Sequence, residues 1–281
     1  MPEPTTTTGT TTGTTTGTTT GTTTRAPGSG DDGLVARDLT VRYGGVVANS
    51  GVTIEVRPGQ VVGLIGPNGA GKTTFVDAVT GFTVAEGTIS LDGERIDALA
   101  PHRRKAAGLS RTWQSGELFL NLTVRENLLV SARTVGFGSL FRDIFSPVRQ
   151  ADKRVDEALA RVGLHDVAET LARDLTLGQQ KLVGVARALA GGCRTVLLDE
   201  PAAGLDSNES LQFGDRVREI AAGGPGVLLI DHDMSLVMAV SDVVYVMEFG
   251  KIIFSGTPDL ARTDPAVVAA YLGVPMEVAD V

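Results

Sequence analysis

Residues 66–73 combine glycines, a lysine and a hydroxyl side chain at a spacing suited to binding phosphate. They read Gly-Pro-Asn-Gly-Ala-Gly-Lys-Thr, which fits the pattern G-x-x-x-x-G-K-[ST] at every fixed position. Glycines let the backbone wrap a phosphate with its N–H groups pointing inward, and a following helix N-terminus adds partial positive charge. Lys72 is predicted to reach the β- and γ-phosphates, and the Thr73 hydroxyl to ligate Mg²⁺. The predicted nucleotide-binding residues of this segment are Gly66, Pro67, Asn68, Gly69, Ala70, Gly71, Lys72, Thr73 and Thr74.

Two adjacent acids follow an apolar run later in the chain. Residues 195–198 read Thr-Val-Leu-Leu and lead into Asp199 and Glu200. At the carboxyl end of a parallel strand such residues face the ligand crevice, so Asp199 is predicted to hold Mg²⁺ and Glu200 to orient or deprotonate an attacking water. Alone, this pair is equally typical of a solvated turn, but a phosphate-binding loop in the same chain favours the catalytic interpretation.

The elements that must position these residues alternate between strand and helix. A short apolar run at 60–65 enters the phosphate-binding loop, and a helix with Phe75, Val76 and Val79 on its apolar side leaves it. Strands are predicted at 34–41, 46–56, 87–91, 194–198, 226–230, 243–248 and 251–255, and helices after Pro101, over most of 124–189, at 208–222 and at 264–272. This alternation predicts an α/β fold, with a mostly parallel sheet covered on both faces and a helical insertion.

The first part of the chain has a different composition. Between Thr5 and Thr24 the sequence is threonine punctuated by single glycines, with no large apolar side chain to bury. Burial cannot then offset the conformational entropy of ordering, so residues 1–33 are predicted to be a disordered tail. The segment lacks the basic start and apolar stretch of a signal peptide.

Composition indicates which class of partner is disfavoured and which cellular compartment the chain fits. The formal net charge of −8 disfavours a nucleic-acid partner, which would call for a basic surface. A single cysteine, Cys193, excludes an internal disulfide and is typical of a reducing compartment. The most apolar stretch, 226–254, is interrupted by charged residues and cannot be a transmembrane helix.

Taken together, these motifs resemble the nucleotide-binding subunits of ABC transporters, from about Leu34 to the end of the chain. Residues 111–114 resemble the Q-loop, 175–180 the signature motif, 201–206 the D-loop and 230–233 the H-loop. The resemblance implies a P-loop NTPase core with an antiparallel β subdomain, and one ABC ATPase domain over 34–281 whose helical subdomain covers about 115–192. It also implies the following roles: adenine stacking for Tyr43, a contact to Mg²⁺ or water for Gln114, a γ-phosphate contact for His232, and ATP contacts for Thr176, Gly178 and Gln179.

The signature motif departs from the usual Leu-Ser-Gly-Gly-Gln of the family. Thr176 stands in place of serine and Leu177 in place of the first glycine. Thr176 keeps a hydroxyl that can donate to a phosphate oxygen, and Gly178 keeps close backbone approach. We therefore interpret the motif as altered but working.

The resemblance also implies how the subunit acts. Two ATPase subunits, identical or different, face each other with each ATP between one phosphate-binding loop and the opposite signature. Closure is transmitted through the segment after Gln114 to two membrane permeases. Phe119, Leu120 and Leu122 are candidates for that contact, although core packing of the helical insertion explains them equally well.

Within the family the chain is most similar to the ATPase subunits of branched-chain amino acid importers. The similarity rests on residues 111–114, 122–128, 231–238, 256–258 and 270–273. It implies a peripheral protein on the cytoplasmic face of the cell membrane, with a solute-binding protein as an indirect partner. Uptake of urea or short amides, an exporter-type ATPase and a soluble ABC ATPase stay open as alternatives, and the acidic charge disfavours the last.

Overall fold

The computed structural model describes residues 32–112, 118–132 and 147–272, which form two β-sheets and a set of helices. The larger sheet has six strands in the order β10-β9-β3-β8-β7-β6, and the smaller has four in the order β2-β1-β4-β5. The strands are β1 (Leu34–Tyr43), β2 (Val46–Val56), β3 (Val61–Ile65), β4 (Glu86–Leu91), β5 (Glu94–Arg95), β6 (Leu109–Thr112), β7 (Thr195–Asp199), β8 (Gly226–Ile230), β9 (Val243–Glu248) and β10 (Lys251–Gly256).

The centre of the six-stranded sheet is built from short, wholly buried strands. Every residue of β3, β7 and β8 is buried, which explains why these strands are continuous apolar runs rather than alternating ones. All strand pairs from β9 to β6 are parallel, and only the edge strand β10 runs antiparallel to β9. The mostly parallel sheet is therefore confirmed.

The four-stranded sheet is antiparallel throughout. Its strands carry the second apolar core, which includes Leu39, Ile54 and Ile89 together with Phe75 from the helix that follows the phosphate-binding loop. This sheet matches the antiparallel component expected from the family resemblance.

The helices are α1 (Lys72–Thr80), α2 (Pro101–Ala106), α3 (Val124–Ala132), α4 (Pro147–Val162), α5 (Leu177–Ala190), α6 (Ser207–Ala222), α7 (Met234–Val240), α8 (Pro258–Thr263) and α9 (Pro265–Leu272). Helices α3, α4 and α5 come between β6 and β7 in the chain, where a helical insertion is predicted. Val124, Leu128, Val155, Leu159 and Val183 pack together there in one apolar cluster.

Three elements differ from the expectation. Strand β6 has the polar sequence Leu-Ser-Arg-Thr, and it is a strand because it pairs in parallel with β7. Helix α7 begins after Asp233, whose carboxylate accepts the N–H groups of Ser235 and Leu236 as a cap. Helix α8 precedes the single helix expected near the end, and the extended residue Asp264 separates it from α9, which begins at Pro265.

The structure describes only the last residues of the predicted N-terminal tail. Residues 1–31, nearly all of the predicted tail, lie outside the described residues. Gly33 is already held by the fold, because its N–H donates to Asp92 Oδ1 at 2.7 Å and its carbonyl accepts the Asp92 N–H at 2.8 Å.

Arg104 on α2 holds the C-terminal end of α1. Its guanidinium donates to the carbonyls of Ala78 and Val79 at 2.7 Å each and to those of Asp97 and Leu99 at 2.6 and 2.9 Å. The residue is 5% exposed, so these carbonyls have little access to water. A cation at a helix C-terminus is also favoured by the helix dipole.

We expect Arg104→Ala to lower the free energy of unfolding by about 2–4 kcal/mol, because it removes four hydrogen bonds and leaves the Val79, Asp97 and Leu99 carbonyls without their side-chain donor. Chemical denaturation followed by circular dichroism measures the change. Arg103→Ala is the matched control, since Arg103 precedes it on α2 and is exposed. Equal losses in the two variants would contradict the role given to Arg104.

Candidate nucleotide site

The site lies where three parallel strands end in register. Leu64 of β3 pairs with Ile230 of β8, and Ile230 pairs with Asp199 of β7. Three segments therefore start from the same edge of the sheet. They are the phosphate-binding loop after β3, the His232 segment after β8 and Glu200 after β7. Ligands of open α/β sheets bind at this edge.

Backbone contacts fix the shape of the phosphate-binding loop. Gly66 has φ +152°, and a Cβ placed there would lie 2.1 Å from the Met247 carbonyl oxygen, so only glycine fits. The Ala70 carbonyl accepts the Gly250 N–H at 2.8 Å, which ties the loop to the turn between β9 and β10. Helix α1 then begins at Lys72 with Gly71 as its N-cap residue.

Asn49 is a buried support of this loop that the sequence analysis missed. It is fully buried on β2, and its Nδ2 donates to the Gly71 carbonyl at 3.1 Å. Its Oδ1 makes no hydrogen bond with any residue that the structure describes. A single asparagine inside a strand has no distinguishing pattern, so only the packing of β2 against the loop reveals this contact.

Lys72 lies among the predicted charges of the site. Its Nζ donates to the carbonyls of Gly66 and Pro67 at 2.6 and 3.1 Å. Burial lowers the pKa of the Lys72 ammonium, and the negative charges of Glu200 and Asp199 act in the opposite direction. The structure thus brings the loop lysine close to Asp199 at the end of β7 and to Glu200 directly after it.

Asp199 is held by an arginine from the neighbouring strand. Arg111 Nη2 donates to Asp199 Oδ2 at 2.7 Å, and both side chains are less than a tenth exposed. Among the described residues Asp199 Oδ1 accepts no hydrogen bond. A carboxylate with one oxygen outside the arginine hydrogen bond fits the oxygen-donor chemistry that Mg²⁺ prefers.

Glu200 has a strained backbone. Its φ is +46°, an uncommon value for a residue other than glycine, and its N–H donates to the Ile230 carbonyl at 2.7 Å. This conformation turns the chain sharply at the end of β7, directly after Asp199. Non-glycine residues held in this region are concentrated at functional sites.

His232 is exposed, with 65% of its side chain accessible, and Asp231 beside it is fully buried. Asp231 Oδ1 lies 3.4 Å from His232 Nδ1 and accepts the Asp233 N–H, and its Oδ2 accepts the Ala202 N–H at 3.3 Å. Asp231 therefore ties the predicted H-loop to the predicted D-loop. In the sequence, Asp231 is recognisable only as one residue of the predicted H-loop motif.

Tyr43 ends β1 with about half of its surface accessible. Its hydroxyl shares a hydrogen bond of 3.1 Å with that of Thr83. The adenine contact of Tyr43 stays a prediction, and the half-exposed side chain leaves surface for a stacking partner.

The signature residues do not join this cluster. Thr176 is the N-cap of α5 and forms a reciprocal capping box with Gln179, at 3.2 and 3.0 Å. A Cβ at Gly204 in the predicted D-loop would lie 3.2 Å from a Leu177 methyl group, so the non-consensus leucine packs against this turn. Among the described residues no hydrogen bond or ion pair links Thr176, Gly178 or Gln179 to residues 66–74. Gln114 lies outside the described residues.

Comparison with protein families and solved structures decides the family. Residues 50–203 match the ABC transporter family, and residues 251–276 match the family described as branched-chain amino acid ATP-binding cassette transporter. The chain belongs to the ABC transporter family. It is an ATP-binding and ATP-hydrolysing cassette, as the sequence motifs predict.

Individual relatives and structures agree with this assignment of the ABC cassette. The high-affinity branched-chain amino acid transport ATP-binding protein BraF of Pseudomonas aeruginosa is 40% identical over 243 residues, which cover 84% of this chain and 95% of that protein. LivG of Escherichia coli K12 is 37% identical over 248 residues, covering 85% and 97%. The ADP conformation of MJ1267, an ATP-binding cassette of an ABC transporter, superposes with a TM-score of 0.75 at 30% identity, covering 85% and 98%.

The ABC cassette shows no membrane span in the part of the chain that the structure describes. None of the helices there combines the length and apolar character that crossing a bilayer requires.

We expect Asn49→Ala to weaken binding of ATP about 3- to 10-fold, because the loop loses one hydrogen bond of about 1 kcal/mol at Gly71, whose carbonyl then keeps only the Phe75 N–H. Stability should change little, since the substitution also removes an acceptor that has no partner. Titration with a fluorescent ATP analogue measures affinity, and Asn208→Ala on the exposed side of α6 is the control. An affinity equal to that of Asn208→Ala would contradict the support role.

Proposed function

We propose that the chain is the ATP-hydrolysing subunit of an importer that takes up branched-chain amino acids through separate membrane permeases. The observation that carries the ATPase part is the common sheet edge that joins Lys72, Asp199 and Glu200. The importer part is supported by the match of residues 251–276 to the branched-chain amino acid cassette family and by the names of BraF and LivG.

Each site residue has a role in this proposal. Residues 66–74 bind the phosphates of ATP, and Tyr43 stacks on its adenine. Thr73, Asp199 and Gln114 hold Mg²⁺, which neutralises phosphate charge when bound. Glu200 orients or deprotonates the attacking water, and His232 contacts the γ-phosphate. Most of the rate acceleration then comes from positioning and charge stabilisation rather than covalent chemistry.

A second ATPase subunit, identical or different, completes the site. In support, Thr176 and Gln179 cap helix α5, and among the described residues its N-terminus makes no hydrogen bond or ion pair with the chain's own phosphate-binding loop. A helix N-terminus with a hydroxyl and a glycine is suited to a phosphate. We propose that Thr176, Gly178 and Gln179 serve the ATP bound by the partner subunit.

A basic groove next to the site is the proposed contact for the permeases. Its volume is about 510 Å³, and it lies among α2, β6, α5 and the end of α1. The ionisable residues that line it are all basic: His102, Arg104, Lys105, Arg111, Lys181 and Arg187. Arg111 is already paired with Asp77 and Asp199, so the positive charge that favours an acidic partner segment comes from the exposed Lys105 and the half-buried Lys181.

Phe119 extends the apolar part of that contact. Phe119 and Leu120 are each about half exposed, and the Arg187 guanidinium lies 5.5 Å from the centre of the Phe119 ring. Of the two explanations for these side chains, their exposure favours the permease contact over core packing. Leu122 is less exposed and fits either. Docking on permeases would place the subunit at the cytoplasmic face of the membrane.

An exporter is the second candidate function. The lipopolysaccharide export ATP-binding protein LptB of Acidithiobacillus ferridurans is 34% identical over 241 residues, covering 85% of this chain and 97% of that protein. Urea or amide uptake is a further alternative within the importer class.

The test is a pull-down of the tagged chain from detergent-solubilised membranes of cells that produce it, followed by mass spectrometry. Two polytopic permeases and a solute-binding protein are expected. That binding protein is then assayed with leucine, isoleucine, valine, urea and acetamide. Recovery of export machinery, or a binding protein that prefers urea or acetamide, would reject the branched-chain amino acid proposal.

We expect Glu200→Gln to retain ATP binding and to lose at least about 100-fold in steady-state ATPase rate, because the amide cannot accept a proton from water. Phosphate release measures turnover, and a fluorescent ATP analogue measures binding. Lys72→Ala is the contrasting variant, in which binding itself should weaken. Unchanged turnover in Glu200→Gln would remove Glu200 from the proposed role.

We expect Lys105→Glu to reduce recovery of the permeases in the same pull-down, because it reverses a charge in the basic groove. Arg103→Glu is the matched control: both residues are exposed on α2, and only Lys105 lines the groove. ATPase activity of the isolated subunit should be equal in both variants. Equal recovery of permeases would argue against docking in this groove.

A further inference from the structure

Arg111 occupies an unusual position between the two elements that carry the proposed metal ligands. It lies on β6, its side chain is 8% exposed, and it bonds two carboxylates at once. Nη2 donates to Asp199 Oδ2 at 2.7 Å, and Nη1 donates to Asp77 Oδ1 at 2.5 Å. One guanidinium thus connects the end of β7 to helix α1.

The second partner, Asp77, connects Arg111 to the helix that carries Thr73, another proposed metal ligand. Asp77 follows Thr73 by four residues on α1, so the two side chains lie on the same face of the helix, one turn apart. Arg111 therefore contacts both proposed metal-binding elements. It holds helix α1, which carries Thr73, through Asp77, and it holds the carboxylate of Asp199 directly.

The contact with Asp199 leaves one carboxylate oxygen for other partners. Arg111 donates to Oδ2, and Oδ1 accepts no hydrogen bond among the described residues. Without Arg111 the carboxylate could rotate and present either oxygen in several orientations. Substitution of a partner that orients a metal ligand in this way typically lowers metal affinity about 10- to 100-fold.

We propose that Arg111 is a positioning residue for the Mg²⁺ site: it orients Asp199 and the Thr73-bearing turn of α1 toward the same metal ion. The proposal rests on the ATPase function proposed above. Arg111 also lines the basic groove, so the same side chain connects the proposed permease contact to the proposed metal carboxylate.

Lysine at position 111 tests the geometry while keeping the charge. An ammonium is a point charge without the planar fork that spans two carboxylates in fixed directions. Arg125→Lys is the matched control, because Arg125 on α3 also bridges two acids, Asp156 on α4 and Glu169 in a turn, at 2.8 Å each.

The experiment measures binding of trinitrophenyl-ATP to the full-length chain at increasing Mg²⁺ concentration and in EDTA. Arg111→Lys is expected to raise the Mg²⁺ concentration for half-maximal binding, and for half-maximal ATPase, about 10-fold. Binding in EDTA and the melting temperature should stay near those of the wild type. Arg125→Lys should leave all of these values unchanged.

Other outcomes are equally decisive. A purely structural role would lower the melting temperature and the binding in EDTA together without altering the Mg²⁺ requirement, and this result would overturn the proposal.

If Arg111→Lys does not fold, Asp77→Asn continues the test, because it weakens one anchor and keeps the Arg111–Asp199 contact. A smaller rise in the Mg²⁺ requirement supports the proposal, and no rise refutes it. Failure of the wild type to bind the analogue would instead reject the ATPase function.

Discussion

Strands β3, β8 and β7 are hydrogen-bonded in register, so that Leu64, Ile230 and Asp199 lie side by side across the sheet. Parallel pairing makes all three strands leave the sheet in the same direction. Three segments far apart in the chain, after Ile65, Asp199 and Ile230, are thereby brought to one edge. The other features of the site depend on this register, because a slip of one residue would also turn the buried side chains to the opposite face.

Polar side chains around this edge make hydrogen bonds within the protein, and some of their polar atoms stay available for a ligand. Asp199 Oδ2 accepts a hydrogen bond from Arg111. Asp231 Oδ2 joins the segments after β7 and β8 through Ala202, and its Oδ1 accepts the Asp233 N–H within the segment after β8. Asn49 donates to the Gly71 carbonyl from below the loop. Buried polar groups without partners are costly, so these bonds both stabilise the core and limit how the site can move.

Much of the ABC cassette is determined by local sequence. The Gly-Lys-Thr spacing predicts Lys72 and Thr73, because a loop that wraps a phosphate needs glycine where φ is positive and approach is close. Wholly apolar runs predict β3, β7 and β8, since strands buried on both faces cannot alternate. The acids Asp199 and Glu200 follow from the end of such a run. The family resemblance rested on these features and on the order of the later motifs, and the comparisons confirm it.

Tertiary structure alone decided which charges and amides meet. Arg111 is 34 residues from Asp77 and 88 from Asp199, and Asn49 is 22 from Gly71. Strand β6 became a strand through its pairing with β7, despite a polar sequence that does not predict one. Sequence patterns report backbone preference and burial over a few neighbouring residues. Contacts between distant side chains depend instead on strand order and helix packing, which no local pattern contains.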